Sequence, residues 1–233
     1  MTVPAGPEGE VAQTGFRLRR RYWPTHVIRG LLARALYYHR LIVEGAELLP
    51  REGPALLLPK HRAYRDIPVE GVVLYRYTGR YANYVMKVGL WGVLELMGGI
   101  KIIRPKDLRR LKDREARRAE ITRAREANQR TVDYLSWLYG QGEIVVSHPE
   151  GQRYRDGMGP LQKEIIEHLL QVERALGRQI PMFPIGFEYE SLRRPRARAY
   201  CRIGEPLLSG EYPEAKDLVE VLGQRLRALS GLA

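Results

Sequence analysis

Short apolar runs separated by turns or by helix-length stretches constrain this chain more than any other feature. LIVEG (41–45), PALLLP (54–59), YANYVMK (81–87), IKII (100–103), EIVVS (143–147), IPMFPIGFEY (180–189) and ARAYCRI (197–203) have the length and apolar content of strands. Between them, Ile67 to Tyr77, Leu90 to Met97, Leu108 to Tyr139, Leu161 to Leu176 and Tyr212 to Leu229 read as helices. This alternation predicts an α/β fold: a single domain with a mixed, mostly parallel sheet flanked by helices. EIVVS has the unbroken apolarity of a buried sheet position. IPMFPIG carries Pro181 and Pro184, which lack the amide donor a ladder needs, so it is expected at a sheet edge or bulge beside a groove. At 233 residues and 44% apolar, with no repeat and no obvious linker, the chain can bury one substantial core.

The N-terminus adds a different kind of segment. Residues 1–15, rich in Gly, Pro and Glu, are expected to be a disordered leader, and they lack the charged-then-apolar order of a secretory signal. Residues 16–40 then place Arg17, Arg19, Arg20 and Arg21 and the aromatic pair Tyr22-Trp23 before an amphipathic stretch. In it Val27, Ile28, Leu31, Leu32, Ala35 and Leu36 recur at helical spacing, with Arg29, Ala33, Arg34 and Arg40 on much of the other side. Two readings fit: a basic helix lying in a membrane interface, or a helix packed on its own domain with a solvated basic face. No apolar run reaches the roughly 18 residues of a membrane-spanning helix. The longest candidate, Val88 to Ile100, is shorter and holds Glu95, so it is expected as a helix in the core or at an interface.

A formal net charge of +12 favours a polyanionic partner: nucleic acid, an anionic lipid surface, or acidic carrier proteins and phosphorylated substrates. The lone cysteine, Cys201, excludes an internal disulfide and leaves a cytosolic setting as the default.

Several stretches hold residues with chemistry to offer. In KHRAYRDIP, five positions on a continuous helix would leave His61 and Asp66 about 140° apart, so they meet only if the chain turns between them. Asp66 before Ile67-Pro68 is a good helix start, since Asp caps free amides and Pro suits the first turn. His61 then falls in a loop between strand and helix, where a carboxylate could hold its imidazole as a base; a capping Asp beside an unrelated loop histidine is the plainer reading of the same residues. GGIKIIRP delivers Arg104 to a strand exit, with Pro105 ending the pairing. SHPEGQRYRDG offers Glu150, Gly151 and Arg153, a carboxylate, an adaptable backbone and a guanidinium, after a buried-looking strand.

Taken in order, HxxxxD after a strand, Gly-Gly-strand-Arg, strand-Pro-Glu-Gly-x-Arg and Ile-Pro-x-x-Pro resemble the glycerolipid acyltransferase family, typified by lysophosphatidate (1-acylglycerol-3-phosphate) acyltransferases. The resemblance covers residues 43–190. It implies that His61 and Asp66 are catalytic, that Arg104, Glu150, Gly151 and Arg153 bind the acceptor, and that Pro181 and Pro184 lie on the acyl-donor side. The expected organisation is an acyltransferase domain over 41–233, preceded by the 16–40 helix at the membrane interface. The expected enzyme needs no metal and no cofactor. Its co-substrate is acyl-CoA or acyl carrier protein, its acceptor a lysolipid, and it sits peripherally on the cytoplasmic face of an anionic membrane surface. Lys60, Ala63, His148, Gln152 and Tyr154 stand where the family usually has Asn, Ser, Phe, Thr and Ser. Alternatives are the same chemistry on a glycolipid, carotenoid glycoside or lyso-aminolipid, a lipid-binding protein without catalysis, or a basic nucleic-acid-binding module. For the last, no helix-turn-helix, zinc or RNA-binding signature appears, so nucleic acid is not an expected partner.

Overall fold

In the computed structural model, which describes residues 15–36, 38–87, 93–104 and 114–232, the apolar runs assemble into one seven-stranded sheet. The strands are β1 (Arg40–Glu44), β2 (Ala55–Pro59), β3 (Ala82–Lys87), β4 (Gly99–Ile102), β5 (Ile144–Val146), β6 (Met182–Tyr189) and β7 (Arg198–Ile203), in the spatial order β1-β7-β6-β2-β5-β3-β4. Strands β2 to β6 all run the same way; β7 is antiparallel to β6, and β1 is parallel to β7. The helices are α1 (Tyr22–Leu36), α2 (Asp66–Thr78), α3 (Val93–Leu96), α4 (Arg114–Gly140), α5 (Glu164–Leu176) and α6 (Ala215–Leu229). This is the mixed, mostly parallel α/β sheet that the alternation predicts. The expected leader up to residue 14, the expected helical residues 90–92 and 108–113, and Pro105 lie outside the described residues.

β2 is buried along its whole length, and its alternation feeds two cores. Leu56 and Leu58 pack with Tyr134, Leu138, Ile166 and Leu222 beneath α4, α5 and α6. Ala55 and Leu57 pack with Val69, Val73 and Val146 beneath α2. Each of these leucines contributes about 1.5–3 kcal/mol relative to exposure. The strand that leads into His61 is therefore clamped from both faces.

Two local expectations are corrected. The proline-bearing strand is interior, since β6 lies between β2 and β7. Its prolines are tolerated because the ladder does not call on them. Pro181 precedes the strand and uses only its carbonyl, which accepts from Leu56 N at 3.0 Å. Pro184 sits one residue before the paired register with β7 begins at Ile185. Its carbonyl accepts from Gly204 N at 2.9 Å, where the neighbouring chain is leaving the ladder. The second correction concerns α1, whose expected polar side is partly its inner side. Arg29 lies over the Tyr75 ring of α2 at 4.2 Å from the centroid, and His26 Nδ1 is 3.0 Å from the Tyr81 hydroxyl. Long cationic and aromatic groups pack well face to face, so they take the inner position. An apolar stripe is left facing out: Trp23, Val27 and Leu31 are 74%, 57% and 64% exposed.

Candidate active site

Because β2, β4, β5 and β6 are co-directional, their C-terminal ends meet along one edge of the sheet. There β2 runs into Lys60 and His61, β4 into Arg104, β5 into His148 and Glu150, and β6 ends at Tyr189. Sites in open α/β sheets form at this edge.

The loop after β2 folds back on itself. Asp66 opens α2 but does not cap it: the capping position is Arg65, with no side-chain capping bond. The Asp66 carboxylate instead points into the preceding loop. Its Oδ2 accepts from Arg62 N at 2.6 Å and Ala63 N at 2.7 Å, and lies 3.1 Å from His61 Nδ1. Its Oδ1 accepts from the Tyr189 hydroxyl at 2.6 Å. The carboxylate is fully buried, and a buried charge persists only when donors surround it as these do. The loop amides outcompete the helix amides because the turn places them around the same oxygen. With Asp66 accepting at Nδ1, the hydrogen resides there and Nε2 keeps a lone pair for chemistry. Burial, reinforced by the Asp66 charge, pushes the Tyr189 phenol far above its ordinary range, so it remains a donor.

A second buried unit fixes the backbone of His61. Lys60 and Glu150 are both fully buried, with Lys60 Nζ 2.9 Å from each Glu150 oxygen and 2.8 Å from the Tyr154 carbonyl. Glu150 Oε2 also accepts from His61 N at 3.1 Å, and Oε1 from Gly159 N at 2.7 Å. Tyr154 N donates to the His61 carbonyl at 2.9 Å. Burial lowers the Lys60 ammonium's pKa, and the Glu150 carboxylate opposes that. Glu150 thus spends both oxygens on protein donors and anchors the loop that carries His61.

The remaining expected site residues occupy varied settings. Gly151 has φ 62°, a backbone conformation that strains other residues, and a Cβ there would also displace the Gln162 side chain. Arg104 donates to the Gly151 carbonyl at 3.1 Å, joining the second and third sequence blocks. Arg153 is exposed, its guanidinium 3.4 Å from the centre of the Tyr64 ring. A concavity of about 540 Å³ opens beside Glu150 and Tyr154, floored by Pro160, Leu161 and Gln162. Pro181 is not brought to this edge: it pairs at the opposite end of β2 from His61, about 16 Å away along the strand. A second concavity, about 510 Å³, lies between α5 and the start of α6, away from the catalytic loop. Among the described residues no cluster of three or more His, Cys, Asp or Glu is placed to hold a metal.

Sequence reasoning assigned no role to Lys60, Tyr189 or Glu70, and noted His148 only as a departure. Lys60 gave the clearest signal, a lysine directly after an all-apolar strand, but its partner lies 90 residues away. Glu70, one turn after Asp66 on α2, lies 3.0 Å from His148 Nε2, and the His148 and His61 ring centroids are 4.2 Å apart.

The comparisons with known proteins bear on the fold and the family. Among curated proteins none matches the chain. Among solved structures, the crystal structure of the 1-acyl-sn-glycerophosphate (LPA) acyltransferase PlsC from Thermotoga maritima is similar, with a TM-score of 0.56 and 16% identity over 88% of this chain and 77% of that one. At that identity the likeness is one of fold. The family model for Acyltransferase matches residues 40–188, more than half of the chain and all of the loops that build this edge except the last residue, Tyr189. The chain belongs to the acyltransferase family.

Proposed function

We propose that this chain moves a fatty acyl group from acyl-CoA or acyl carrier protein to a hydroxyl of a lysophospholipid, with 1-acylglycerol-3-phosphate as the preferred acceptor and phosphatidate as the product. The observation that carries the reading is the 3.1 Å contact between His61 Nδ1 and Asp66 Oδ2 at the sheet edge. His61 Nε2 takes the proton of the acceptor hydroxyl while its oxygen attacks the thioester carbonyl carbon. The tetrahedral intermediate expels the thiolate, and His61 returns the proton to the sulfur. Asp66 holds the tautomer and offsets the transient imidazolium, and Tyr189 holds Asp66. The acceptor is the one named for the Thermotoga protein of like fold.

Arg104 and Arg153 supply the positive charge for the acceptor phosphate. Arg153→Ala is expected to raise the acceptor KM about tenfold and leave the donor KM nearly unchanged, measured by thiol release. The deciding comparison is kcat/KM for lysophosphatidate against uncharged hydroxyl acceptors with one acyl donor. Faster turnover of the uncharged acceptors would overturn the phosphate assignment and leave acyl transfer standing. One observation favours that second reading: Tyr64 already engages the Arg153 guanidinium, and Tyr154 borders the concavity. Such aromatic faces suit the sugar of a glycolipid or carotenoid glycoside, or the head group of a lyso-aminolipid.

Membrane association belongs to the same proposal, on the cytoplasmic face and without a span, since no described helix is long and apolar enough to cross. The support is the exposed Trp23, Val27 and Leu31 stripe beside a run of arginines. Replacing all three with Ser should weaken binding to anionic vesicles about tenfold or more, and salt should weaken the binding of the parent protein. Unchanged sedimentation of the triple variant with such vesicles would refute this assignment.

A further inference from the structure

The helix α2 carries two buried carboxylates one turn apart, and each holds a histidine. Asp66 holds His61, and Glu70 holds His148 through the 3.0 Å contact at Nε2. Residues four apart share a helix face, so both carboxylates aim at the same loops. The two imidazoles meet there, their ring centroids 4.2 Å apart and their planes 40° apart. His148 stands where the family usually has Phe, so this second pair is a property of this chain's own residues.

The surroundings of His148 favour its charged form. Glu70 is 4% exposed, and among the described residues its other oxygen, Oε2, has no hydrogen-bond partner, so His148 Nε2 is the polar contact this carboxyl group makes. Burial of His148 works against its charge, but Glu70, with Asp66 and Glu150 beyond it, outweighs burial and raises its pKa above the ordinary histidine value. Tyr84 from β3, Tyr189 from β6 and Cys201 from β7 also face Glu70, and burial keeps all three protonated. Lys60 is taken up by Glu150. With His148 cationic, the carboxylates Asp66, Glu70 and Glu150 face Lys60 and His148, and the charge of Arg62 also reaches Lys60. His148 Nδ1 makes no hydrogen bond among the described residues, and the side chain is 11% exposed.

We propose that His148, held as an imidazolium by Glu70, is a second catalytic residue that donates from Nδ1 to the negative charge developing on the thioester carbonyl oxygen. The proposal rests on the acyl-transfer reading. A hydroxyl delivered to His61 Nε2 puts the carbonyl it attacks beside the adjoining ring, so a fixed cation there acts on the oxygen as it gains charge. No bond to His148 forms or breaks, and its proton stays in place throughout the step.

Two measurements test it. The first is the histidine ring NMR titration of the folded protein, which needs no substrate. His148 should titrate above free histidine, and Glu70→Gln should move it down; a His148 that is neutral at pH 7 would overturn the proposal. The second is the pH profile of kcat in acyl-thioester turnover. The cation is present below its pKa and lost above it, so kcat should fall on the alkaline side. His148→Phe keeps a ring of the kind usual in the family but removes the charge. It should lower kcat about tenfold or more, change KM little, and abolish the alkaline limb. Since that variant leaves Glu70 buried without its partner, the double variant with Glu70→Gln should show the same profile in a stable fold. Parent-like kcat and an unchanged alkaline limb in both variants would refute the role. If the parent protein transfers no acyl group to any hydroxyl, the acyl-transfer reading falls and takes the catalytic role with it, while the NMR titration still reads the His148–Glu70 pair itself.

Discussion

His61→Ala is expected to leave a folded protein whose acyl-transfer rate has fallen by about 10²–10⁴-fold, the range a positioned base supplies. The imidazole is only partly buried, with 13% of its side chain exposed, and its backbone is held independently by Glu150 and Tyr154. Its removal should therefore cost activity and little stability. Asp66→Asn should show a comparable fall in rate for another reason and should also destabilise. The amide cannot accept from Arg62 N, Ala63 N and His61 Nδ1 together and still receive the Tyr189 hydroxyl, so the loop loses both its tautomer control and its fold-back. Thiol release from acyl-CoA in the presence of lysolipid, with circular dichroism as the folding control, reads both variants. Near-normal turnover in folded His61→Ala would end the general-base mechanism.

The parts of this site that were legible in the sequence are those whose physics is local. The strands could be read because apolar runs bounded by Gly and Pro have few alternatives. His61 and Asp66 could be paired because one short loop contains both. Even there two roles stood open for the carboxylate, helix cap or partner of His61. A helix-opening Asp usually faces forward to free amides, and only the tight turn through Ala63 and Tyr64 shows this one facing back. The proline-rich strand did mislead. Proline argues for an edge, but whether an absent donor matters depends on which neighbour still runs alongside, and that is set by the course of the chain after Ile203. A solvated basic face was one of the two readings of α1, but Tyr75 offers Arg29 a ring to lie on. The contacts that escaped entirely are the long-range ones. Lys60 finds Glu150 because β5 lies between β2 and β3, with β4 further out, and Tyr189 finds Asp66 because β6 lies on the other side of β2. No spacing in the sequence encodes that spatial order.

The Lys60–Glu150 pair yields the largest expected effect on stability. A buried ion pair adds little net stability over an apolar replacement, but removing one partner strands the other, at a cost of about 3–5 kcal/mol. Lys60→Met therefore leaves the buried Glu150 without its cation, with the His61 and Gly159 amides as its remaining donors. The melting temperature should drop by on the order of 10 °C in a chain of this size. The double variant Lys60→Met with Glu150→Leu should regain much of that loss, because the stranded charge is gone. Activity should not return with it. Glu150 Oε2 accepts the His61 amide and Glu150 Oε1 the Gly159 amide, so without the carboxylate the histidine loop loses its register even in a stable fold. This split separates an ion pair kept for stability from one kept for positioning. A Lys60→Met protein that melts with the parent would show that the pair is not closed to water. A double variant that recovers both melting temperature and turnover would show that the loop holds His61 without it.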